Sequence, residues 1–547
     1  MLNWFNSRTA SLGRPDSQLY LTGTGLGSVT AAVYLIQKCG WAGSNIHLFE
    51  QRDEKYAGGC CDAQYDEEKD QYSMRGSRMF EEEVYRCTKQ LWGLIPSLEN
   101  PGKTALDDHN KNWNECRVDT RVRLIFDGVR KDDGLHLGLS KADVFNMAKL
   151  MIMPEWMLGE KKISDMFTPE MFRSNYWYMW RTTFAFHQWH SAVELKRYMH
   201  LFYHTMPNFN DMTPVQRTKY TNFHSFMLPA LKLLEDKSVH IHYQSKIADA
   251  EFTKANGKRR ITRLHIASKN GEKQTIDVRE HDVAFLTLGS IVADHSYGTN
   301  DEPAQFPPDQ RPGERSGSWT LWEKIASKHS DFGHPEVFTR DPDESRMLAF
   351  TSTFNDPLFR TKWEKLVERK MGETGQLTLP DSPWFLEVTA FRQPFFPDQP
   401  DDKTIIWGYG LHDDEIGRFV PKRMRDCSGS EILEELLGHL GFNGEEKSIV
   451  LDTSNTIPCM LPYGISQFNT RRPGDRPSVV PKGASNFAFI GQYVEIPNHC
   501  VFTTEYSVRG AMIAIQKLID PSLDIPKIYW GERVPSVVAA TIRRVFV

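Results

Sequence analysis

The stretch LYLTGTGLGSVTAAVYLIQKCGWAGSNIHLFE, residues 19–50, reads as strand, glycine turn, helix and strand. Leu19-Tyr20-Leu21 is apolar enough to be covered on both faces, as strands of a parallel sheet are. Gly23, Gly25 and Gly27 form the turn, Val29 to Ile36 is an apolar helix, and Ile46 to Phe49 is a second strand ending on Glu50. Each part suits a dinucleotide. Gly23 permits the tight turn, Gly25 lets the backbone approach a pyrophosphate, and the N–H groups opening the helix hold that anion. Glu50 is placed to accept hydrogen bonds from an adenosine ribose. Ser28 stands where the third glycine of the pattern is expected. Tight turns need glycine for structural reasons alone, but the order of strand, helix, strand and acid favours a nucleotide site. The pattern by itself leaves FAD and NAD both open.

Working outward, the 547 residues exceed what one core organises, so several domains are expected. Charged residues at 25% and hydrophobic ones at 40% are those of an ordinary globular chain. A net charge of −5 argues against nucleic acid as a partner. The N-terminal arm, residues 1–17, lacks the apolar core of a signal peptide, and no apolar run reaches membrane-spanning length. Eight cysteines without repeated CxxC spacing indicate neither a disulfide framework nor zinc. The expectation is a cytoplasmic protein, with peripheral membrane contact left open.

Ala57-Gly58-Gly59 is a second glycine turn, suited to passing the backbone under a dinucleotide or simply to a loop. Glu81-Glu82-Glu83 fit the first turn of a following helix. Residues 175–206 are crowded with aromatic and Met side chains, which suit helical core and would also line a long apolar pocket. His187 and His190 share a spacing but lack a third ligand, so no metal is expected. Asp282 to Ser290 is a buried strand ending in Gly289-Ser290, and Asn486 to Gly491 is another, followed by a helix led by Phe502 and Thr503. Such units return the chain to an FAD sheet. Residues 299–318 read as a linker, residues 384–409 as two strands about a Pro-rich turn, and Ser428 to Gly441 as a capped helix.

Taken together, GTGLGS, AGG, MRGSRM, IPSLE, AFHQWHSAVELKRYM, TKYTNF, GSWTLW, CSGSEI, SNTIPCMLPY, GDRPSVVP and AFIG…VFTTEYSVR occur in one order between Leu19 and Ile525. In this the chain resembles the oleate hydratases, the FAD-dependent fatty acid hydratases also called myosin-cross-reactive antigens. The resemblance implies an α/β architecture: a Rossmann-like FAD-binding domain built from separated segments, a mainly helical substrate domain and a β-containing lobe. The matching divisions are 18–110, 236–298 and 471–547 for the FAD domain, 111–235 for the helical domain and 299–470 for the lobe. FAD is then expected on Gly23, Gly25, Gly27, Ser28, Glu50, Gly58, Gly59, Arg75, Gly76, Ser77, Gly289, Ser290, Gly491, Phe502 and Thr503. The implied reaction adds water across a cis double bond of an unsaturated long-chain fatty acid or similar lipid. The alternatives are a flavin-dependent isomerase or oxidoreductase, or a non-catalytic lipid-binding flavoprotein. A monomer or homodimer is expected.

The resemblance assigns the proton donor to a tyrosine matched by Tyr198. Phenol is a weak acid, so a neighbouring charge such as Arg197 or the flavin must assist it. Two departures stand out. Where bacterial relatives carry a water-positioning Glu, this chain has Met79, which does not exclude hydration, and the region is one residue longer, so that Glu81 or Glu82 could approach the same place. The residues matching the carboxylate-binding group are Asn222, Thr389, Phe391 and Phe395, so two polar groups have become aromatic. The acid head group is then held differently, or the substrate is not a simple free acid. The C-terminal helical segment tied in the family to membrane contact and dimer packing is mostly missing.

Overall fold

The computed structural model describes residues 16–61, 63–126, 130–306 and 315–545; most of the N-terminal arm, and residues 307–314 of the 299–318 linker, lie outside them. Five parallel strands form the sheet that positions the site, in the order Phe487–Ile490, Val283–Thr287, Leu19–Thr22, Ile46–Phe49 and His240–His242. They come from three stretches of chain far apart in sequence, so the Rossmann-like domain is assembled from separated segments. The central strands are apolar throughout because helices cover both faces. Leu19, Leu21, Val283 to Leu286 and Phe487 to Ile490 are all fully buried. Helix Leu26–Gln37 packs against helix Thr504–Leu518, which brings both N-termini to the same end of the sheet.

A three-stranded antiparallel sheet, Ser245–Ala255, Lys258–Ser268 and Lys273–Asp277, continues from this domain. The third sheet has eight strands and centres on Met347–Phe354, which pairs antiparallel with Thr404–Gly410 on one side and Ser454–Leu461 on the other. The strands expected within 384–409 are Leu386–Ala390 and Thr404–Gly410, and they pair. Leu124–Phe126 and Arg130–Asp132 fall inside the stretch expected to be mainly helical, yet they extend this sheet at its edge. Short apolar runs do not declare their period, and Leu124-Ile125-Phe126 is such a run.

The aromatic-rich segment folds as two helices, Asn175–Phe184 and Ala192–Leu201. Each starts where a serine replaces a missing helical bond: Ser174 Oγ accepts from the N–H of Trp177, and Ser191 Oγ from that of Val193. The three glutamates at 81–83 precede their helix instead of opening it, since that helix spans Arg86–Trp92. No helix among the described residues is long and apolar enough to cross a membrane.

Candidate functional site

At the shared end of the two helices lies a cavity of about 360 Å³. Its floor is the glycine turn. Gly23 has φ +74° and donates its N–H to Phe49 O at 2.8 Å, which folds the turn back onto the second strand. A Cβ at Gly25 would meet no protein atom within 4 Å, so this position opens onto empty space in the cleft. Gly59, at φ +59°, presses on the same loop: a Cβ there would lie 2.8 Å from Gly25 Cα. The second glycine turn therefore supports the first. Glu50 is buried; its Oε2 accepts from the N–H of Thr24 at 2.9 Å and from its hydroxyl at 2.7 Å, and Oε1 accepts from the N–H of Arg52 at 2.9 Å. A carboxylate has about four acceptor positions, so Glu50 retains capacity for a ribose hydroxyl.

Of the residues expected to touch the cofactor, Gly23, Gly25, Gly27, Glu50, Gly59, Arg75, Gly289, Ser290, Gly491, Phe502 and Thr503 line this cavity. Four do not. Ser28 is buried beneath the turn and donates to Thr22 O at 2.8 Å. Gly58 donates its N–H to Thr24 Oγ1 at 3.1 Å, holding the two loops together. Gly76 is buried behind Arg75, and Ser77 faces away, toward two further chambers. Arg75 reaches into the cleft region, donating to Gly59 O at 2.6 Å.

The larger of those chambers, about 100 Å³ and mostly apolar, is walled by Met79, Phe184, Tyr198, Phe202, Phe209 and Met212, with Glu81 at one side. The smaller, about 50 Å³, lies against the eight-stranded sheet and is reached by Arg217, Gln376, Thr389, Trp407 and Tyr409. Arg78 and Phe502 line both chambers and the cleft, with the guanidinium 4.9 Å above the Phe502 ring. Phe502 has φ +68°, a conformation costing a bulky residue about 1–3 kcal/mol. The strain sits where the three spaces meet.

Tyr198 is buried among Phe184, Phe186, Phe202 and Phe468 and donates its hydroxyl to Val501 O. Burial, with Cys500, Tyr85 and Glu194 adding to it, raises its pKa well above the ordinary 10.0. Arg197 does not assist it. That guanidinium turns the other way, to Glu155 Oε2 and Glu495 Oε1 at 2.7 Å each, while Glu194 pairs with Arg471 and Arg476. These ion pairs clamp the Tyr198 helix to residues 471–495; the cation bordering the chamber is Arg78.

Glu82 is not in the chamber. It is exposed and pairs with Lys89. Glu81 occupies the chamber wall, its Oε2 accepting from the N–H of Val84 at 2.7 Å and its Oε1 lying 2.9 Å from His204 Nε2. The turn before the helix sends residue 81 inward and residue 82 out. Met79 does line both chambers, between them.

The sequence profile of the MCRA family matches residues 16–516. The chain belongs to the MCRA family. It is 36% identical over 525 residues to the oleate hydratase of Streptococcus pyogenes serotype M49, covering 94% of this chain and 87% of that one. It is 30% identical over 532 residues to the linoleate hydratase of Lactiplantibacillus plantarum, covering 91% and 93%. Among solved structures, cyclohexylamine oxidase from Brevibacterium oxydans superposes with a TM-score of 0.52 at 12% identity, covering 92% of this chain and 98% of that one. That likeness speaks for the fold alone.

Against this MCRA membership, the four expected head-group residues do not converge on one space. Only Thr389 lines a chamber. Asn222 is buried, with Oδ1 accepting from the N–H of Arg78 at 2.9 Å. Phe391 and Phe395 stack face to face at 3.8 Å and are buried. Among the described residues no cluster of His, Cys, Asp and Glu has the arrangement of a metal site; His190 Nδ1 instead accepts the N–H of His187 at 3.0 Å. Reading the sequence missed Arg78 as a wall shared by three spaces, Arg217, and His204. Their only sequence signal was the RGSR and TKYTNF motifs beside the first two, which name a neighbourhood and no direction.

Proposed function

We propose that this chain is an FAD-holding hydratase that adds water across a cis double bond of an unsaturated fatty acid. The observation that carries the reading is Tyr198, which borders an apolar chamber that shares Arg78 and Phe502 as a wall with the dinucleotide cleft, in a chain of this family. The residues fit an extended anionic dinucleotide: two helix N-termini, an acid at the end of the second strand, and a cradle at Gly25 that no side chain fills. FAD would lie along Gly23, Gly25, Gly27, Glu50, Gly59, Gly289 and Gly491. Hydration is redox-neutral, so the bound group supplies structure or electrostatics instead of electrons.

An isolated alkene is a poor base, so protonation and water attack must be held in register. Tyr198 O–H gives its proton to one alkene carbon, the π electrons form that C–H bond, and a water oxygen bonds to the other carbon. The proton the water sheds passes to a carboxylate. Glu81 takes the role that Met79 cannot, since a thioether is only a weak acceptor. Arg476 favours the phenolate left on Tyr198, against the burial that makes this phenol a weaker acid, and Arg78 is the cation on the wall of the same chamber. A long chain spans both chambers when the flexible Met79 side chain between them moves aside.

The test is incubation of the FAD-loaded protein with oleate or linoleate in heavy-oxygen water. Label in a hydroxy fatty acid is the expected result. A shifted double bond without label would instead identify an isomerase, and unchanged lipid a binding protein.

A further inference from the structure

The small chamber is lined by cations and by three donor nitrogens that no described residue accepts from. Arg75, Arg78 and Arg217 line it, and no acidic side chain does. Arg217 belongs to this chamber alone of the spaces described above. Its Nε and Nη2 are buried and have no hydrogen-bond partner among the described residues. Its guanidinium sits 5.5 Å from the centre of the Phe391 ring. Trp407 Nε1, on the same lining, is also buried without a partner. Against these three donor nitrogens the unpartnered acceptor on the lining is Gln376 Oε1. Burying a guanidinium without a counter-charge is costly, and a surplus of donors calls for a ligand that only accepts.

The nearest internal acid does not meet that need. Glu387 Oε1 accepts from the hydroxyl of Thr389 at 2.6 Å, and burial pushes the carboxyl up to about 8. Near neutral pH it is mostly protonated. Arg123, which also lies near Glu387, has both Nη groups satisfied elsewhere, on Gln376 O at 2.6 Å, Thr378 Oγ1 at 3.0 Å and Thr183 Oγ1 at 2.8 Å, leaves only its buried Nε unpartnered, and does not line the chamber. Arg217 is the cation left over.

We propose that the small chamber is the carboxylate subsite of the lipid substrate and that Arg217 holds the head group. Phe391 and Phe395, stacked on each other, fill the ground where polar side chains were expected. The aromatic pair then serves as the platform on which the guanidinium rests, leaving its fork free to take both oxygens of a carboxylate. Met79, Thr183 and Phe502 line both chambers, so a chain anchored at Arg217 runs past Met79 into the apolar space beside Tyr198. This assignment rests on the fatty acid reading above.

The experiment is calorimetric titration of the FAD-loaded protein with stearate, a saturated acid that cannot react, and with its methyl ester. The natural sequence should bind the acid at least about tenfold more tightly than the ester. Arg217→Met keeps the length and the contact with Phe391 and should bring acid and ester to equal affinity, with FAD content and the near-ultraviolet circular dichroism unchanged. Arg217→Lys keeps the charge without the fork and should retain a reduced preference for the acid. On oleate, Arg217→Met should raise KM more than it lowers kcat. Equal binding of acid and ester by the natural sequence, or an undiminished acid preference in Arg217→Met, overturns the proposal. Should Arg217→Met fail to fold, the natural sequence and Arg217→Lys still decide it. If no hydroxy acid forms from any substrate while the acid preference still depends on Arg217, the hydratase reading fails and the subsite stands.

Discussion

The cleft proposed for the dinucleotide is shaped by backbone, and the chambers proposed for the lipid by side chains. In the cleft, Gly23, Gly25 and Gly59 act by lacking a Cβ, the helices at Leu26 and Thr504 present their N-termini, and Glu50 closes a strand. In the chambers, Tyr198, Arg217, Trp407 and the neighbours Met79 and Glu81 arrive from four parts of the chain and act through the direction each side chain takes. A backbone site survives most changes of neighbouring side chains but not the addition of one carbon. A side-chain site tolerates remodelling, which explains how Phe391 and Phe395 can stand where polar groups were expected while a binding space persists nearby.

Changes on the chamber side should act on rate and leave the cofactor alone. The largest expected effect is Tyr198→Phe. It keeps the ring among Phe184, Phe186 and Phe468 and removes the proton, so hydration should fall by roughly 10²–10⁴ with FAD content unchanged. Near-full activity in that variant would move the proton source elsewhere.

On the cleft side, two glycines should separate binding from folding. Gly25→Val places its side chain in open space, so the thermal midpoint should stay while FAD affinity drops about tenfold to a hundredfold. Gly59→Ala meets Gly25 Cα at 2.8 Å and needs φ +59°, so it should lower the thermal midpoint and FAD retention together. If both variants lose stability equally, the distinction between an open cradle and a packed turn is wrong.

A finer test sets two adjacent acids against each other. Glu81→Gln should slow hydration about tenfold by weakening the base. Glu82→Gln weakens the contacts of an exposed glutamate with Lys89 and Gln216, outside the chamber, and should leave kcat unchanged. Reversed results would return the carboxylate role to residue 82.

The smallest effect concerns the clamp behind Tyr198. Burial alone would raise the Glu495 carboxyl, but Arg471, Arg197 and Arg476 together hold it at about 2, against an ordinary 4.5. A depressed carboxylate pKa gives stability that is present above the ordinary value and is lost as pH falls through the folded one. Acid titration of stability should therefore show a loss between about pH 4.5 and pH 2 that is reduced in Glu495→Gln. An identical acid profile in that variant would remove the clamp from the account.

How much of this was legible follows from where the information sits. Residues 19–50 carry the cleft by themselves, because one strand–turn–helix–strand unit is local and its glycine spacing encodes backbone shape directly. The order of later motifs, with apolar strands ending at Gly289 and Gly491, was enough for a Rossmann-like domain made of separated pieces. Position along the chain could not say that Ser28 and Gly58 work beneath the turn, that Glu81 and not Glu82 faces inward, or that Leu124–Phe126 joins a sheet whose other members lie mostly beyond residue 295. Those outcomes depend on side-chain direction and long-range pairing, which neighbours distant in sequence impose. The same holds for Arg217. Its residue type was visible from the start, but that its guanidinium is buried, unpartnered and lines a chamber with two other arginines is decided only when strands, helices and loops from across the chain close around it.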